Sequence, residues 1–127
     1  MNGFFLVALG GAIGASLRHG AGLAAIKLAP AGWPWGTFFV NVVGSLAMGL
    51  VIGWLALKTA EAGQNARLFL ATGVLGGFTT FSAFSLEVAQ MIREDALARA
   101  ASYAGLSLLL GIAALFIGLW LARRMFA

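Results

Sequence analysis

Four long apolar stretches, separated by short polar ones, make up almost the whole chain. Each is close to the ~20 residues that an α-helix needs to cross the hydrocarbon core of a bilayer. The pattern predicts an all-α membrane protein with one domain, 1–127, whose four transmembrane helices occupy about residues 3–26, 36–57, 68–92 and 100–122. The connection at about 58–67 is short and polar, and we expect a loop with no function beyond connecting the helices.

The third apolar stretch contains residues that weaken a helix. Its central run, 73–85, carries Gly73, Gly76 and Gly77, followed by the adjacent Thr79 and Thr80. Glycine has a low helix propensity and threonine is stiff at its first side-chain torsion, so the hydrogen-bond ladder is weakest here. Inside a bilayer, freed backbone carbonyls are tolerated only where protein, water or an ion satisfies them. We therefore predict a break in the third helix, with an ion site beside it.

Polar side chains recur at four-residue intervals in the second and fourth stretches. In the second, this interval joins Thr37, Asn41 and Ser45; in the fourth, it joins Tyr103 and Ser107. Residues four apart share a helix face, so each helix presents a polar stripe. Such a stripe serves either hydrogen bonding between helices or a polar path, and a buried asparagine amide is costly unless its donors and acceptors are satisfied.

Aromatic rings and hydroxyl groups follow the predicted break. Phe78, Phe81 and Phe84 recur every three residues, which predicts a continuous aromatic stripe on one helix face. The hydroxyl residues on the adjacent face are Thr79, Ser82 and Ser85. Aromatic stripes usually contact lipid or other helices, but the positive edges of these rings, beside hydroxyl donors, would also stabilise a small desolvated anion.

Composition excludes several classes of protein. The chain is 61% hydrophobic and 9% charged, with a mean hydropathy of +0.97, whereas a soluble domain carries roughly a quarter charged residues. The net charge of +4 is scattered near the helix ends, which argues against nucleic-acid binding. The absence of cysteine excludes disulfides and thiolate metal sites.

Two charged residues lie within or near the predicted helices. A charge there is expensive unless it reaches water, so Arg18 either extends to the membrane interface or lines an aqueous vestibule for an anion. We expect Glu87 to be a carboxylate at the end of its helix, close to the interface.

Basic residues are balanced between the two sides of the predicted bundle. One side carries Lys58, Arg67, Arg123 and Arg124, and the other carries Lys27, Arg93, Arg99 and, if it reaches that surface, Arg18. The positive-inside rule therefore gives no orientation. A chain without such a bias can insert both ways and pair antiparallel with itself.

Three segments resemble the signature stretches of the Fluc (CrcB) fluoride channels. They are Gly10-Gly11-x-x-Gly14-Ala15-x-x-Arg18, Gly36-Thr37-x-x-Val40-Asn41-x-x-Gly44 and Gly73-x-x-Gly76-Gly77-Phe78-Thr79-Thr80-Phe81-Ser82-x-Phe84-Ser85-x-Glu87. The third segment is the most specific of the three. The size of the chain and its predicted topology also agree with this family over the whole chain. Ala83 and Gly111 depart from the family pattern, because hydroxyl residues stand at these positions in some members.

The resemblance implies a passive fluoride-selective channel, not an enzyme, that exports fluoride from the cytoplasm across a cell inner membrane or plasma membrane. It implies an antiparallel dual-topology homodimer in the lipid bilayer, with a structural sodium ion held by the carbonyls of Gly76 and Thr79 from each copy. By motif position, Arg18 would line the vestibule. The fluoride pathway would comprise Thr37, Asn41, Thr80, Phe81, Ser82, Phe84, Ser85, Tyr103 and Ser107.

Other functions remain compatible with the residues alone. A proton-driven exporter needs a carboxylate inside the membrane, for which Glu87 is the candidate. A subunit that only assembles with other helices would need no more than the small-residue spacing. A membrane enzyme fits least well, because one histidine and no cysteine leave few pairs of nucleophile and base.

Overall fold

The computed structural model describes residues 2–127, and these form helices joined by short connections. Four helical spans are long and apolar enough to cross a membrane: Gly3–Leu28, Trp35–Leu55, Ala60–Arg93 and Leu97–Phe126. We name the first two α1 and α2 and the last α6. The predicted all-helical membrane architecture with four spans is confirmed.

The third span is a composite of several helical pieces. It runs through α3 (Ala60–Ala66), a π-helical segment (Arg67–Leu75), the single turn α4 (Gly76–Phe78) and α5 (Ser82–Arg93). The helical ladder is interrupted at residues 79–81, which lies inside the run where the glycines and threonines predict a break.

The connection predicted as a plain loop at about 58–67 is largely helical instead, so that prediction is wrong. Thr59 caps α3, since its hydroxyl accepts a hydrogen bond from the Ala62 N–H at 3.4 Å. Glu61 stands in the first turn, where a negative charge favours the helix N-terminus. These polar residues obscured the start of the third span, because the hydropathy signal begins only after Arg67.

Small residues let α1 approach the third span closely, as their four-residue spacing predicts. A Cβ atom on Gly14 would lie against the carbonyl oxygen of Val74, and one on Gly10 would lie 2.9 Å from the Cα atom of Gly73. From the other side, a Cβ on Gly77 would lie 2.6 Å from the carbonyl oxygen of Gly11. Backbone therefore packs on backbone along this contact.

The helices α2 and α6 meet in the same way. Gly49 and Gly118 face each other, and a Cβ on Gly49 would lie 3.0 Å from the Cα of Gly118. Large apolar side chains cover the outside of the chain, including Phe4, Ile26, Leu28, Leu97, Leu109 and Phe116. Such a surface suits contact with lipid or with another chain.

Candidate functional site

The break in the third span begins where α4 ends. Phe78 is the last residue of α4, and Thr79 has extended backbone torsions, φ −84° and ψ 159°. The chain returns to helical geometry at Ser82. Backbone groups that would pair within a continuous helix therefore need other partners here.

Asn41, on α2, provides those partners for Thr80. Its amide oxygen Oδ1 accepts the Thr80 N–H at 2.8 Å, and its amide nitrogen Nδ2 donates to the Thr80 carbonyl at 2.9 Å. The side chain thus replaces the two helical hydrogen bonds that Thr80 lacks. The stripe on α2 predicted a polar role for Asn41, and the structure adds this structural one.

The hydrogen bond between the Thr80 N–H and Asn41 affects the Gly76 carbonyl, which lies one helical turn earlier. In a continuous helix the Thr80 N–H would donate to the Gly76 carbonyl, but it is engaged by Asn41. Within residues 2–127, no backbone N–H donates to the carbonyl oxygen of Gly76 or of Thr79. Carbonyl oxygens that accept no hydrogen bond are suitable ligands for a hard cation such as sodium. The two carbonyl oxygens at this break therefore fit the sodium ion that the resemblance implies.

Most hydroxyl groups near the break bond locally. Thr80 Oγ1 accepts the Ala83 N–H at 3.1 Å and thereby caps α5, and it lies 3.3 Å from Ser82 Oγ. Ser85 Oγ donates to the Phe81 carbonyl at 2.9 Å. On α2, Ser45 Oγ donates to the Asn41 carbonyl at 2.7 Å. The Thr80 and Ser85 hydroxyls stabilise the start of α5, and the role of Thr80, Ser82 and Ser85 in a fluoride pathway stays a prediction.

Two phenylalanines form a pair beside the break. The ring centroids of Phe81 and Phe84 are 5.8 Å apart, and Phe84 also contacts Tyr103 at 5.2 Å. Phe81 is 79% exposed on the single chain. The prediction that Phe78 continues the same stripe is wrong, because the unwound residues 79–81 separate it from α5 and redirect the chain.

A groove of about 230 Å³ runs past this aromatic pair. Its lining residues are Asn41, Ser45, Phe81, Phe84, Ser107, Leu108, Gly111 and Ile112. The Ser107 hydroxyl is buried and has no hydrogen-bond partner within residues 2–127. A second groove of about 340 Å³ shares Asn41, Ser45 and Phe81 and reaches Thr79 and Thr80 at the break. The structure therefore brings four of the predicted pathway residues, Asn41, Phe81, Phe84 and Ser107, to one groove.

Glu87 is held by hydroxyl groups from two other spans. Thr37 Oγ1, on α2, donates to Oε1, and Tyr103 OH, on α6, donates to Oε2, both at 2.6 Å. Tyr103 is fully buried, and the Trp33 ring packs edge-on against it with the ring centroids 5.4 Å apart. Glu87 lies in the middle of α5, six residues before its end, and its carboxylate is held between spans, which differs from the expected position at a helix end close to the interface.

Arg18 lies on the face of α1 that continues from Gly14 towards Gly22. Gly22 lines an open pocket of about 410 Å³, which also reaches Thr37 and Glu87. This placement leaves Arg18 one helical turn from an opening whose mostly apolar lining includes Thr37 and Glu87. Its role in a vestibule stays a prediction.

These features define a multi-pass α-helical membrane protein whose third span is unwound beside a polar and aromatic groove. The family model described as "CrcB-like protein, Camphor Resistance (CrcB)" matches residues 5–119. The chain belongs to the CrcB family, which confirms the family indicated by its motifs.

Curated relatives align over the whole chain. A protein of Hyphomonas neptunium named "Fluoride-specific ion channel FluC" is 73% identical over 127 residues, which cover 100% of both chains. A protein of Caulobacter vibrioides with the same name is 50% identical over 127 residues and 100% of both chains. A third, from Mesorhizobium japonicum, is 49% identical over 125 residues, covering 98% of this chain and 99% of its own. Relatives named as ion channels agree with the prediction that this chain is not an enzyme.

Proposed function

We propose that this chain forms a fluoride-selective channel, through which cytoplasmic fluoride leaves the cell passively and fluoride toxicity is relieved. The membrane is a cell inner membrane or plasma membrane. The observation that carries the proposal is the groove in which the Phe81 and Phe84 rings lie beside the Asn41 amide and the Ser107 hydroxyl, which has no hydrogen-bond partner among residues 2–127. The fluoride-specific channel named in the 73% identical relative supports the same function.

The chemistry of this groove suits a small, strongly hydrated anion. Fluoride must lose water to enter a narrow path, and each lost hydrogen bond needs a replacement. Asn41 uses one amide N–H for Thr80, which leaves its second N–H available, and Ser107 has an unused O–H. The ring edges of Phe81 and Phe84 add a weak positive potential without a full charge that would trap the ion.

We also propose that two copies pair as an antiparallel dual-topology homodimer. The balance of basic residues between the two faces permits both orientations. Phe81 is largely exposed on one chain, and the grooves beside it are open, so a second copy would complete the walls of the path.

Cysteine labelling tests the dual topology directly, because the chain has no native cysteine. An Ala127→Cys variant, treated with a membrane-impermeant maleimide on intact spheroplasts, should label in about half of its copies. Permeabilisation should then label the remainder. Labelling of nearly all or nearly none of the copies before permeabilisation would contradict the dual topology.

We further propose that the carbonyls of Gly76 and Thr79 from both copies hold a structural sodium ion. Their lack of backbone donors within residues 2–127 supports this assignment, and oxygen donors suit a hard cation. When bound, the ion would neutralise the carbonyl dipoles at the unwound turn. Replacing sodium with N-methylglucamine should lower the unfolding temperature of the purified protein, whereas an unchanged temperature would contradict a bound structural cation.

Growth in fluoride tests the proposed function in cells. Cells without their own fluoride export, expressing the wild-type chain, should tolerate more fluoride than the same cells with Phe81→Ile or Asn41→Ala at equal protein levels. Equal tolerance with all three proteins would favour the subunit that only assembles with other helices.

A proton-coupled exporter is the second candidate, favoured by the hydrogen-bonded carboxylate of Glu87 inside the bundle. Coupling would require this carboxylate to take up and release a proton during transport. Fluoride transport by a Glu87→Gln variant would then lose its dependence on a pH gradient. In the channel, a membrane potential alone drives the ion, with or without a pH gradient.

A further inference from the structure

The end of the bundle opposite the Glu87 network carries a further pocket, which shares no residue with either groove. It has a volume of about 330 Å³ and lies between the end of α2 and the start of the third span. Its lining residues are Leu55, Lys58, Thr59, Ala60, Gly63, Gln64 and Arg67. The volume falls within the range of about 300–1,000 Å³ that is usual for ligand sites.

The charge in this pocket has one sign. The two charged residues that line it, Lys58 and Arg67, are both basic, and no carboxylate residue within residues 2–127 lines the cavity. Glu61 is close in sequence, but the lining positions 60, 63, 64 and 67 follow one face of the helix and exclude it. The pocket thus attracts an anion.

Neutral hydrogen-bond donors accompany these charges. The Thr59 oxygen accepts the Ala62 N–H, which leaves its own O–H free to donate, and the Gln64 amide contributes N–H groups. Arginine, lysine, hydroxyl and amide donors together match the several oxygen acceptors of a phosphate group.

The residues around the pocket are typical of a membrane surface. The third span has 34 residues, more than the ~20 needed to cross the hydrocarbon core, and its surplus first turns are polar. The Lys58 ammonium lies 5.1 Å from the centre of the Trp54 ring, an arrangement that suits the interfacial aromatic belt. Leu55 adds an apolar wall on the side of the bilayer core.

We propose that this pocket binds a phosphate-bearing anion, and that its source is the headgroup of an anionic phospholipid. Basic pockets beside transmembrane helices recognise anionic headgroups, and each lysine or arginine contributes to the attraction. The inference is independent of the proposed channel function, because it concerns neither the groove nor its residues.

Native mass spectrometry of the purified full chain tests the assignment. The protein is titrated with phosphatidylglycerol, phosphatidylcholine or inorganic phosphate, and the bound fraction is measured. The pocket variant is Lys58→Gln/Arg67→Gln. The matched control, Arg123→Gln/Arg124→Gln, removes equal charge from the same end of the bundle, and Arg124 also lies 5.1 Å from a tryptophan ring, that of Trp120.

We expect the pocket variant to bind phosphatidylglycerol at least about tenfold more weakly than wild type, and the control variant to stay within about twofold. Lys58→Arg, which keeps the charge, should bind like wild type. If the double variant does not fold, as judged by helicity and elution volume, the single variants Lys58→Gln and Arg67→Gln should each weaken binding roughly fivefold.

Four results would overturn the proposal. An equal loss of phosphatidylglycerol binding in the pocket variant and the control variant would indicate a general effect of charge. Unchanged binding in the pocket variant would show that the pocket is not the binding site. Equal affinity for phosphatidylcholine would remove the need for an anionic headgroup. Displacement of phosphatidylglycerol by millimolar inorganic phosphate would assign the pocket to the soluble ion instead of a lipid.

Discussion

The side chain of Asn41 and the backbone of Thr80 form a two-way hydrogen-bonded pair across the break in the third span. The amide accepts from the Thr80 N–H at 2.8 Å and donates to its carbonyl at 2.9 Å. A single side chain on α2 therefore holds the unwound turn in place and also lines both grooves beside Phe81. The break and the proposed ion path depend on the same residue.

Replacing Asn41 should affect stability and permeation differently according to the substitute. Asn41→Ala removes both bonds to Thr80 and should lower the free energy of unfolding by about 1–3 kcal/mol, with loss of fluoride permeation. Asn41→Asp keeps an acceptor for the Thr80 N–H but places a negative charge in the path. It should therefore be more stable than Asn41→Ala and still fail to conduct.

Thermal unfolding and fluoride efflux of the purified variants measure the two effects. Ser16→Ala is the control, because the Ser16 hydroxyl is exposed and bonds only to the Ala12 carbonyl of its own helix. Full fluoride permeation by stable Asn41→Asp protein would show that Asn41 does not line the path.

The network around Glu87 predicts a measurable coupling between spans. Tyr103→Phe and Thr37→Val each remove one hydroxyl donor from the carboxylate with little change of volume, and each should cost about 0.5–2 kcal/mol of stability. The double variant leaves Glu87 without either donor, so its loss should exceed the sum of the single losses.

A double-mutant cycle on unfolding free energies checks this coupling. Ser102→Ala is the matched control on α6, since the exposed Ser102 hydroxyl bonds to the Ala98 carbonyl of the same helix. Additive losses in the cycle would indicate that the two hydroxyls do not act on Glu87 together.

The contact between α1 and the third span predicts opposite effects for two glycines of one helix. Gly14→Ala would place a methyl group against the Val74 carbonyl, and this overpacking should cost about 1–3 kcal/mol. At Gly20 no atom of residues 2–127 lies within 4 Å of a new Cβ, so Gly20→Ala should be neutral or slightly stabilising. The unfolding temperatures of the two variants measure this difference, and equal temperatures would contradict the close packing at Gly14.

The aromatic pair predicts a loss of permeation that is separate from folding. Phe81 is 79% exposed on the single chain, so Phe81→Ile should leave the helical content unchanged. Loss of the ring edge should nevertheless reduce fluoride efflux at least about tenfold, equivalent to about 1.4 kcal/mol in the barrier. Leu86→Ile, at a position 60% exposed on α5, is the control and should conduct normally.

Sequence patterns predicted the elements more fully than their contacts. Apolar length located four spans, and the glycines and threonines located the break. Periodicity also predicted the polar face of α2, but it does not predict which other helix packs against that face. The bonds from Asn41 to Thr80 and from Thr37 to Glu87 join residues 39 and 50 positions apart, so only the packed fold shows them.

The incorrect predictions have physical causes as well. The prediction that Phe78 shares a stripe with Phe81 and Phe84 required one continuous helix. The helix is instead unwound directly after Phe78. The polar residues after Thr59 were interpreted as a loop, although a threonine cap and an early glutamate favour a helix there. The cap at Thr59 favours the helix α3 although the hydropathy of this segment is low.

Fluoride efflux from liposomes is the first test of a fluoride-selective channel. Purified protein is reconstituted into vesicles loaded with potassium fluoride or potassium chloride, and valinomycin is added while an ion-selective electrode records release. We expect rapid release of fluoride that depends on valinomycin and needs no pH gradient, and no comparable release of chloride. Folded protein that releases neither ion, or both equally, would contradict a fluoride-selective channel.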